Sequence, residues 1–282
     1  MPIKAVQQFQ LGTVLGSETK ARETLRLMKE AGYGGIELCG FMIKPTPFTV
    51  KLLTKLAGMP VGGGGKLDWH ALVKEAGLAV VSVHEDLGSI ERDPAAIAAQ
   101  AKSFGTKYVV ITGMYRFEYG SEAAVRGLAQ RLNAAGEALA QQDVRLLYHN
   151  HNCEFLKVAP GLTAYELLLR ETDPQLVNFE FDSYWAADAG VCPLDWMRRL
   201  GSRMKLYHIN DRGTRVSGPV MTPILKPDSM ELGTGSMDLV PLVEQAKAAG
   251  VDAVILESHR NWIDRSPVKS FQVSAQFLNE TV

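Results

Sequence analysis

The sequence predicts a (β/α)8 barrel on three observations. One small unit recurs about every 30 to 40 residues: a charged amphipathic helix, a turn near a glycine or a polar pair, then a short β-rich run. The runs are nearly continuous in apolar residues, as at Val80 to Val83 and Val109 to Thr112, which marks strands buried on both faces of a parallel sheet. Eight such strands can be counted, and 282 residues suit a barrel of roughly 250 residues with insertions.

The strands are expected to begin near Phe9, Gly35, Val80, Tyr108, Arg145, Asn178, Lys205 and Ala253. "ARETLRLMKEAGYGGIELCG" (21–40) supplies a helix, with Leu25, Met28 and Ala31 on one face, and then the second strand. "WHALVKEAGLAVVSVHE" (69–85) and "AAQAKSFGTKYVVITG" (98–113) repeat the unit. "LAQQDVRLLYH", "LVNFEFD", "RMKLYHIN" and "EQAKAAGVDAVILES" continue it. A doubly wound open sheet competes, but it usually carries a glycine-rich phosphate loop after its first strand. Here "QLGTVLGSETK" offers Gly12 and Gly16 without GxGxxG or GK[ST], so a nucleotide site has little support.

The chain reads as one barrel domain, 1–282, with insertions near 41–66 and 211–236. The first holds the glycine run Gly62 to Gly65, and the second follows strand seven. Both begin on the face where barrels carry active sites, so each is a candidate lid or substrate wall. For the glycine run, a plain surface loop is the competing reading.

Composition narrows the function. Hydrophobic residues make up 46% of the chain, enough for a substantial core, and 30 basic against 31 acidic residues leave a net charge of -1. No basic block suggests a grip on nucleic acid or a membrane surface. Cys39, Cys153 and Cys192 form no CxxC pair, which fits a reducing cytoplasm. "MPIKAVQQFQLG" lacks a signal-peptide core, and no segment reaches the roughly 18 apolar residues of a membrane span. The mature protein is expected to be this whole chain.

Polar residues gather at the predicted strand ends. Strand three ends at His84 and Glu85, and strand five at His149, with His151 and Glu154 beyond. Strand six ends at Asp182, strand seven at His208 with Asp211 after it, and strand eight at Glu257 with His259 and Arg260. Five of the six histidines stand there, and only His70 falls on a helix. One such histidine more often serves structure, but five together point to a mixed N/O site for one divalent cation. Mn²⁺, Mg²⁺, Co²⁺ or Zn²⁺ would suit it. No cysteine thiolate joins the site unless Cys153 does, which argues against a structural zinc.

These ends resemble the sugar isomerase and epimerase superfamily, the xylose isomerase-like TIM barrels that include endonuclease IV, tagatose 3-epimerase and inositol-catabolism enzymes. The similarity rests on "YHNHNCEF" (148–155), "FEFDSYWAADAG" (179–190), "KLYHINDRG" (205–213), "ELGTGSMDL" (231–239) and "VILESH" (254–259). It implies a metal, Mn²⁺ first, held by Glu, Asp, His and Glu from strands five to eight. Carried over, the last three are Asp182, His208 and Glu257. At strand five the usual glutamate position holds His149, a pattern that marks the YHNHxxEF branch. Either Glu154 folds back as the ligand or His149 replaces it. Glu154 is preferred because a carboxylate keeps the charge balance, and His149 then becomes a base or substrate clamp.

The resemblance further implies proton abstraction next to a sugar carbonyl through an enediolate, giving an isomerase or epimerase. Glu257 is the expected base on one side, with Glu154 or His149 on the other. His84, His151, Asp211, Arg260, His259 and Glu37 are candidates for binding sugar hydroxyls. For His151, Asp211 and Arg212 the competing role is to orient ligands by hydrogen bonds. Trp185 and Trp262 are either an apolar wall against a sugar face or ordinary core. Lys205 begins strand seven, so no Schiff base is assigned to it, and Arg116, Arg212 and Arg260 are open to a phosphate or a hydroxyl. The same chemistry can eliminate a β leaving group, which makes a lyase or dehydratase on a keto sugar or 3-keto glycoside the alternative. A non-catalytic sugar-binding barrel is the rival from another class. Endonuclease IV-like activity needs more histidines and a basic groove. Barrels of this group often pair, which admits a homodimer.

Overall fold

The computed structural model describes residues 1–44, 66–216 and 218–282. Eight strands within them form a closed barrel: β1 (Ile3–Gln7), β2 (Gly35–Cys39), β3 (Ala79–Glu85), β4 (Tyr108–Ile111), β5 (Arg145–His149), β6 (Val177–Asp182), β7 (Met204–Ile209) and β8 (Ala253–Leu256). Each strand lies beside its sequence neighbours, and β8 closes onto β1. The expected (β/α)8 topology is therefore present. No helix among the described residues is long and apolar enough to cross a membrane.

Local chemistry sets the element boundaries. Ser17, Asp68, Asp93, Ser121, Thr163 and Ser266 each accept a backbone N–H in the first turn of the helix that follows. Such a cap is worth about 1 kcal/mol. Gly77 ends the helix Trp69–Ala76 in the left-handed region, at φ 62°, where a side chain would be strained.

The first strand departs from expectation: it begins at Ile3, not near Phe9. Phe9 lies instead in the 3-10 turn Gln8–Leu11, because the Gln7 side chain captures the Phe9 N–H at 3.1 Å and turns the chain out of the sheet. Most of the first expected insertion, including Gly62 to Gly65, lies outside the described residues. The second contains a short antiparallel ribbon, Asp211–Gly213 with Asp228–Met230.

By internal contacts the chain divides into two compact units. The first comprises Met1–Val80, Ile209–Glu244 and Val254–Val282. In it β1 and β2 run parallel with Ala5 opposite Gly35 and Gln7 opposite Glu37. The second comprises Val81–His208 and Gln245–Ala253. Here β3 to β7 pair in parallel, with Glu85 opposite Ile111, Ile111 opposite Tyr148, His149 opposite Glu180 and Asp182 opposite His208. Val109, Val110, Leu146, Leu147, Phe179 and Phe181 are wholly buried, and each such side chain stabilises the fold by about 1.5–3 kcal/mol. These apolar strands hold the polar residues at their ends in register.

Candidate functional site

In the second unit, the C-terminal ends of β3, β5, β6 and β7 carry a buried cluster: His84, His149, Glu180, Asp182 and His208. Side chains alternate along a strand, so Glu180 and Asp182 project from the same face of β6. The Glu180 Oε2 atom lies 3.0 Å from His84 Nε2, 3.0 Å from His149 Nδ1 and 3.3 Å from His208 Nε2. The other nitrogen of His208, Nδ1, is 3.9 Å from Asp182 Oδ2. The rings pack closely, His149 on His208 at 4.6 Å between centroids and His84 stacked on His208 at 5.9 Å.

Burial by itself would raise the Glu180 carboxyl, but the imidazoles of His208 and His84 and the hydrogen bond from His149 hold it well below the usual carboxylate range. Within this unit His149, Asp182 and His208 offer ligand atoms within 4.8 Å of one another, and so do His84, Glu180 and His208. A buried set of two imidazoles and a carboxylate has the donor chemistry for a divalent transition metal.

The backbone of the site is fixed by Asn150, the residue between the two histidines of "HNH". Its amide donates to Asp182 O at 3.1 Å and accepts from Asp182 N at 3.0 Å, which ties the end of β5 to the end of β6. Asp182 also accepts the Trp185 N–H through Oδ1 at 3.0 Å, capping the helix Ser183–Asp188. Trp185 in turn packs against His151, 5.6 Å between rings, and His151 lies 5.0 Å from His149.

Glu154 is not in this cluster, although sequence reasoning preferred it as the strand-five ligand. Tyr148 and His149 are consecutive in β5 and so face opposite ways, and Glu154 follows Tyr148: its Oε1 accepts the Tyr148 hydroxyl at 2.8 Å. Its Oε2 accepts the His151 N–H at 2.8 Å and the Cys153 thiol at 3.2 Å. Tyr148 is also bonded to the Tyr119 hydroxyl at 2.8 Å, and burial, followed by the Glu154 charge, raises its own hydroxyl well above the usual range. Cys153 is pushed up to about 12 by burial and by Glu154, so it remains a thiol at neutral pH and offers no thiolate to a metal.

In the first unit, Glu37 is buried on β2 and accepts the Gln7 amide at 2.6 Å. Glu257 follows β8 and is buried, with its Oε2 3.6 Å from His259 Nε2. Its N–H donates to Ile209 O at 3.2 Å. Asp211 accepts four backbone N–H groups, from Arg212 at 2.8 Å, Gly233 at 3.0 Å, Gly235 at 2.9 Å and Met237 at 3.2 Å. It therefore organises the "ELGTGSM" loop. Arg260 is exposed and paired with Asp228 at 2.7 Å, and Trp262 donates to Ser258 O at 2.9 Å. His70 lies on its helix and is exposed, away from the strand ends.

Sequence reasoning missed Glu180 and Asn150. The signal for Glu180 was present in "FEFD", where a second acid stands two residues before Asp182 and thus on its face. Asn150 gave no signal, because an asparagine beside histidines reads as loop.

A family model described as xylose isomerase-like TIM barrel matches residues 25–281. An inosose dehydratase of Mesomycoplasma hyopneumoniae is 32% identical over 93 residues, a stretch that is 33% of this chain and only 30% of that enzyme. An inosose dehydratase of Geobacillus kaustophilus is 21% identical over 294 aligned positions, covering 95% of this chain and 89% of the enzyme. Among solved structures, a sugar phosphate isomerase/epimerase from Parabacteroides distasonis superposes with a TM-score of 0.76 at 23% identity, over 98% of this chain and 92% of its own. A protein called IOLI, solved with a zinc atom, gives 0.68 at 15% identity over 99% and 98%. Likenesses at these identities show a shared fold.

Proposed function

Because the chain belongs to the xylose isomerase-like TIM-barrel family, we propose that it is a divalent-metal-dependent sugar or keto-sugar isomerase or epimerase. It removes the proton next to the substrate carbonyl and returns it elsewhere. The observation that carries this reading is the buried trio His149, Asp182 and His208 at consecutive strand ends. We take these three as ligands, with His149 in place of Glu154, and keep Glu257 as the further ligand that the family resemblance implies. Mn²⁺ is the expected ion, with Co²⁺, Zn²⁺ and Mg²⁺ as alternatives.

A divalent ion held by these residues would supply Lewis-acid polarisation of the substrate carbonyl, which makes the neighbouring C–H more acidic. The chain's own residues supply the rest. Glu257 takes the α proton and returns it to the enediolate, and the His259 ring stands 3.6 Å from its Oε2. Trp185 and His151 form a half-buried wall for the C–H face of a sugar, while His84 reaches a hydroxyl. Glu154, buried on Tyr148, holds the His151 backbone.

A second reading is a lyase or dehydratase on a keto sugar or 3-keto glycoside, and the nearly full-length likeness to an inosose dehydratase favours it. Both begin with the same proton removal and differ in whether a β leaving group departs. The test is to reconstitute metal-free protein with Mn²⁺ and incubate it with a panel of keto sugars and inososes in deuterated water. Deuterium in a recovered isomer supports the isomerase, and loss of water or an alcohol supports the lyase. Mn²⁺ uptake without exchange or elimination on any member contradicts both.

A further inference from the structure

The three imidazoles around Glu180 meet it through different ring atoms. His149 uses Nδ1, whereas His84 and His208 use Nε2, and all three reach the same oxygen, Oε2. An ionised carboxylate only accepts hydrogen bonds, so a ring nitrogen bonded to it carries the proton. A neutral imidazole has one N–H, and the hydrogen bond made by one nitrogen decides which face of the ring keeps the lone pair. For His208 that leaves Nδ1, the atom 3.9 Å from Asp182 Oδ2. For His149 it leaves Nε2, on the side of the ring away from Glu180.

We propose that Glu180 is the positioning residue of the metal centre: it sets His149 as the Nδ1–H tautomer and His208 as the Nε2–H tautomer, so that both present lone pairs to the cation. The inference rests on the metal reading above and adds a residue that touches neither ion nor substrate. His149 is the informative member, since Nδ1–H is the minority tautomer of a free imidazole. One acceptor within reach of both rings sets both tautomers, and Glu180, wholly buried on the strand between those of His149 and His208, is placed to be it. His84 shares the oxygen and is set as Nε2–H. A buried carboxylate is costly, and three N–H groups facing it offset that cost.

Long-range proton–nitrogen NMR of the histidine rings in metal-free full-length protein at mildly alkaline pH reads the tautomers directly. The expected result is Nδ1–H for His149 and Nε2–H for His84 and His208. Glu180→Gln offers the rings a neutral amide that accepts more weakly or, turned over, donates. It is expected to change the His149 tautomer and to weaken Co²⁺ binding, read from the visible spectrum, by about 10- to 100-fold. Glu180→Asp, which keeps an acceptor, should recover part of that loss. An Nε2–H tautomer for His149 in the wild type overturns the proposal, as does Glu180→Gln with wild-type tautomers and Co²⁺ affinity. If Glu180→Gln does not fold, the wild-type spectrum decides. A wild type with the expected tautomers that takes up no Co²⁺ overturns the metal reading and leaves the tautomer assignment standing.

Discussion

Glu180 and Asp211 are both buried carboxylates close to strand ends, yet they bond to opposite kinds of partner. Asp211 accepts four backbone N–H groups of its own unit, whereas Oε2 of Glu180 meets three imidazoles of its unit. Gln8 and Gln10 accept the N–H groups of Cys39 and Ser258, and Glu231 accepts that of Ile263. By contrast, His84, His149 and His208 face each other and two carboxylates. A carboxylate whose partners are backbone amides holds a loop, and its loss leaves buried donors unsatisfied. A cluster whose partners are titratable side chains gathers charge and lone pairs at one point, where they can serve a cation.

The largest expected effect lies on the ligand side. Asp182→Asn keeps the cap on Ser183–Asp188, because asparagine caps as well as aspartate, but loses the anionic donor. Turnover should fall by about a thousandfold, the equivalent of several kcal/mol of charge stabilisation, with the melting temperature little changed. Full activity in this variant would break the contrast between the two sets. On the loop side, Asp211→Ala should cost about 2–4 kcal/mol of stability in denaturant unfolding, since the four N–H groups lose a charged acceptor. Metal uptake per folded molecule should persist.

Strand five sharpens the contrast, because it holds one residue of each kind. His149→Ala should lose Mn²⁺ affinity by at least about tenfold, whereas Glu154→Gln should keep it and lose thermal stability instead. Metal content after dialysis distinguishes them. The smallest effect is expected at Gly235, where a Cβ would run into the Asp211 carboxylate and the Arg212 carbonyl. Gly235→Ala should therefore destabilise by about 1–3 kcal/mol, measurable as a lower midpoint of urea unfolding.

The barrel was legible because strands buried on both faces leave apolar runs such as "YVVI" that no half-exposed strand needs. The strand-end residues were legible for the same reason, as a histidine or acid after such a run stands out. What the sequence hid was direction. Whether His149 or Glu154 meets Asp182 and His208 depends on which way β5 turns its last residues, and the Tyr148 hydroxyl draws Glu154 to the opposite side. Asp211 looked like a mouth residue because its partners, the amides of Gly233, Gly235 and Met237, carry no side-chain signal. The early end of β1 depends on one side chain, Gln7, folding onto Phe9 N.

The most direct test is a crystal structure of the protein soaked in Mn²⁺, read by anomalous scattering. The predicted result is one peak in contact with His149, Asp182 and His208, with Glu154 still bonded to Tyr148. A peak in contact with Glu154, or none at Mn²⁺ concentrations that saturate a metal enzyme, would contradict it.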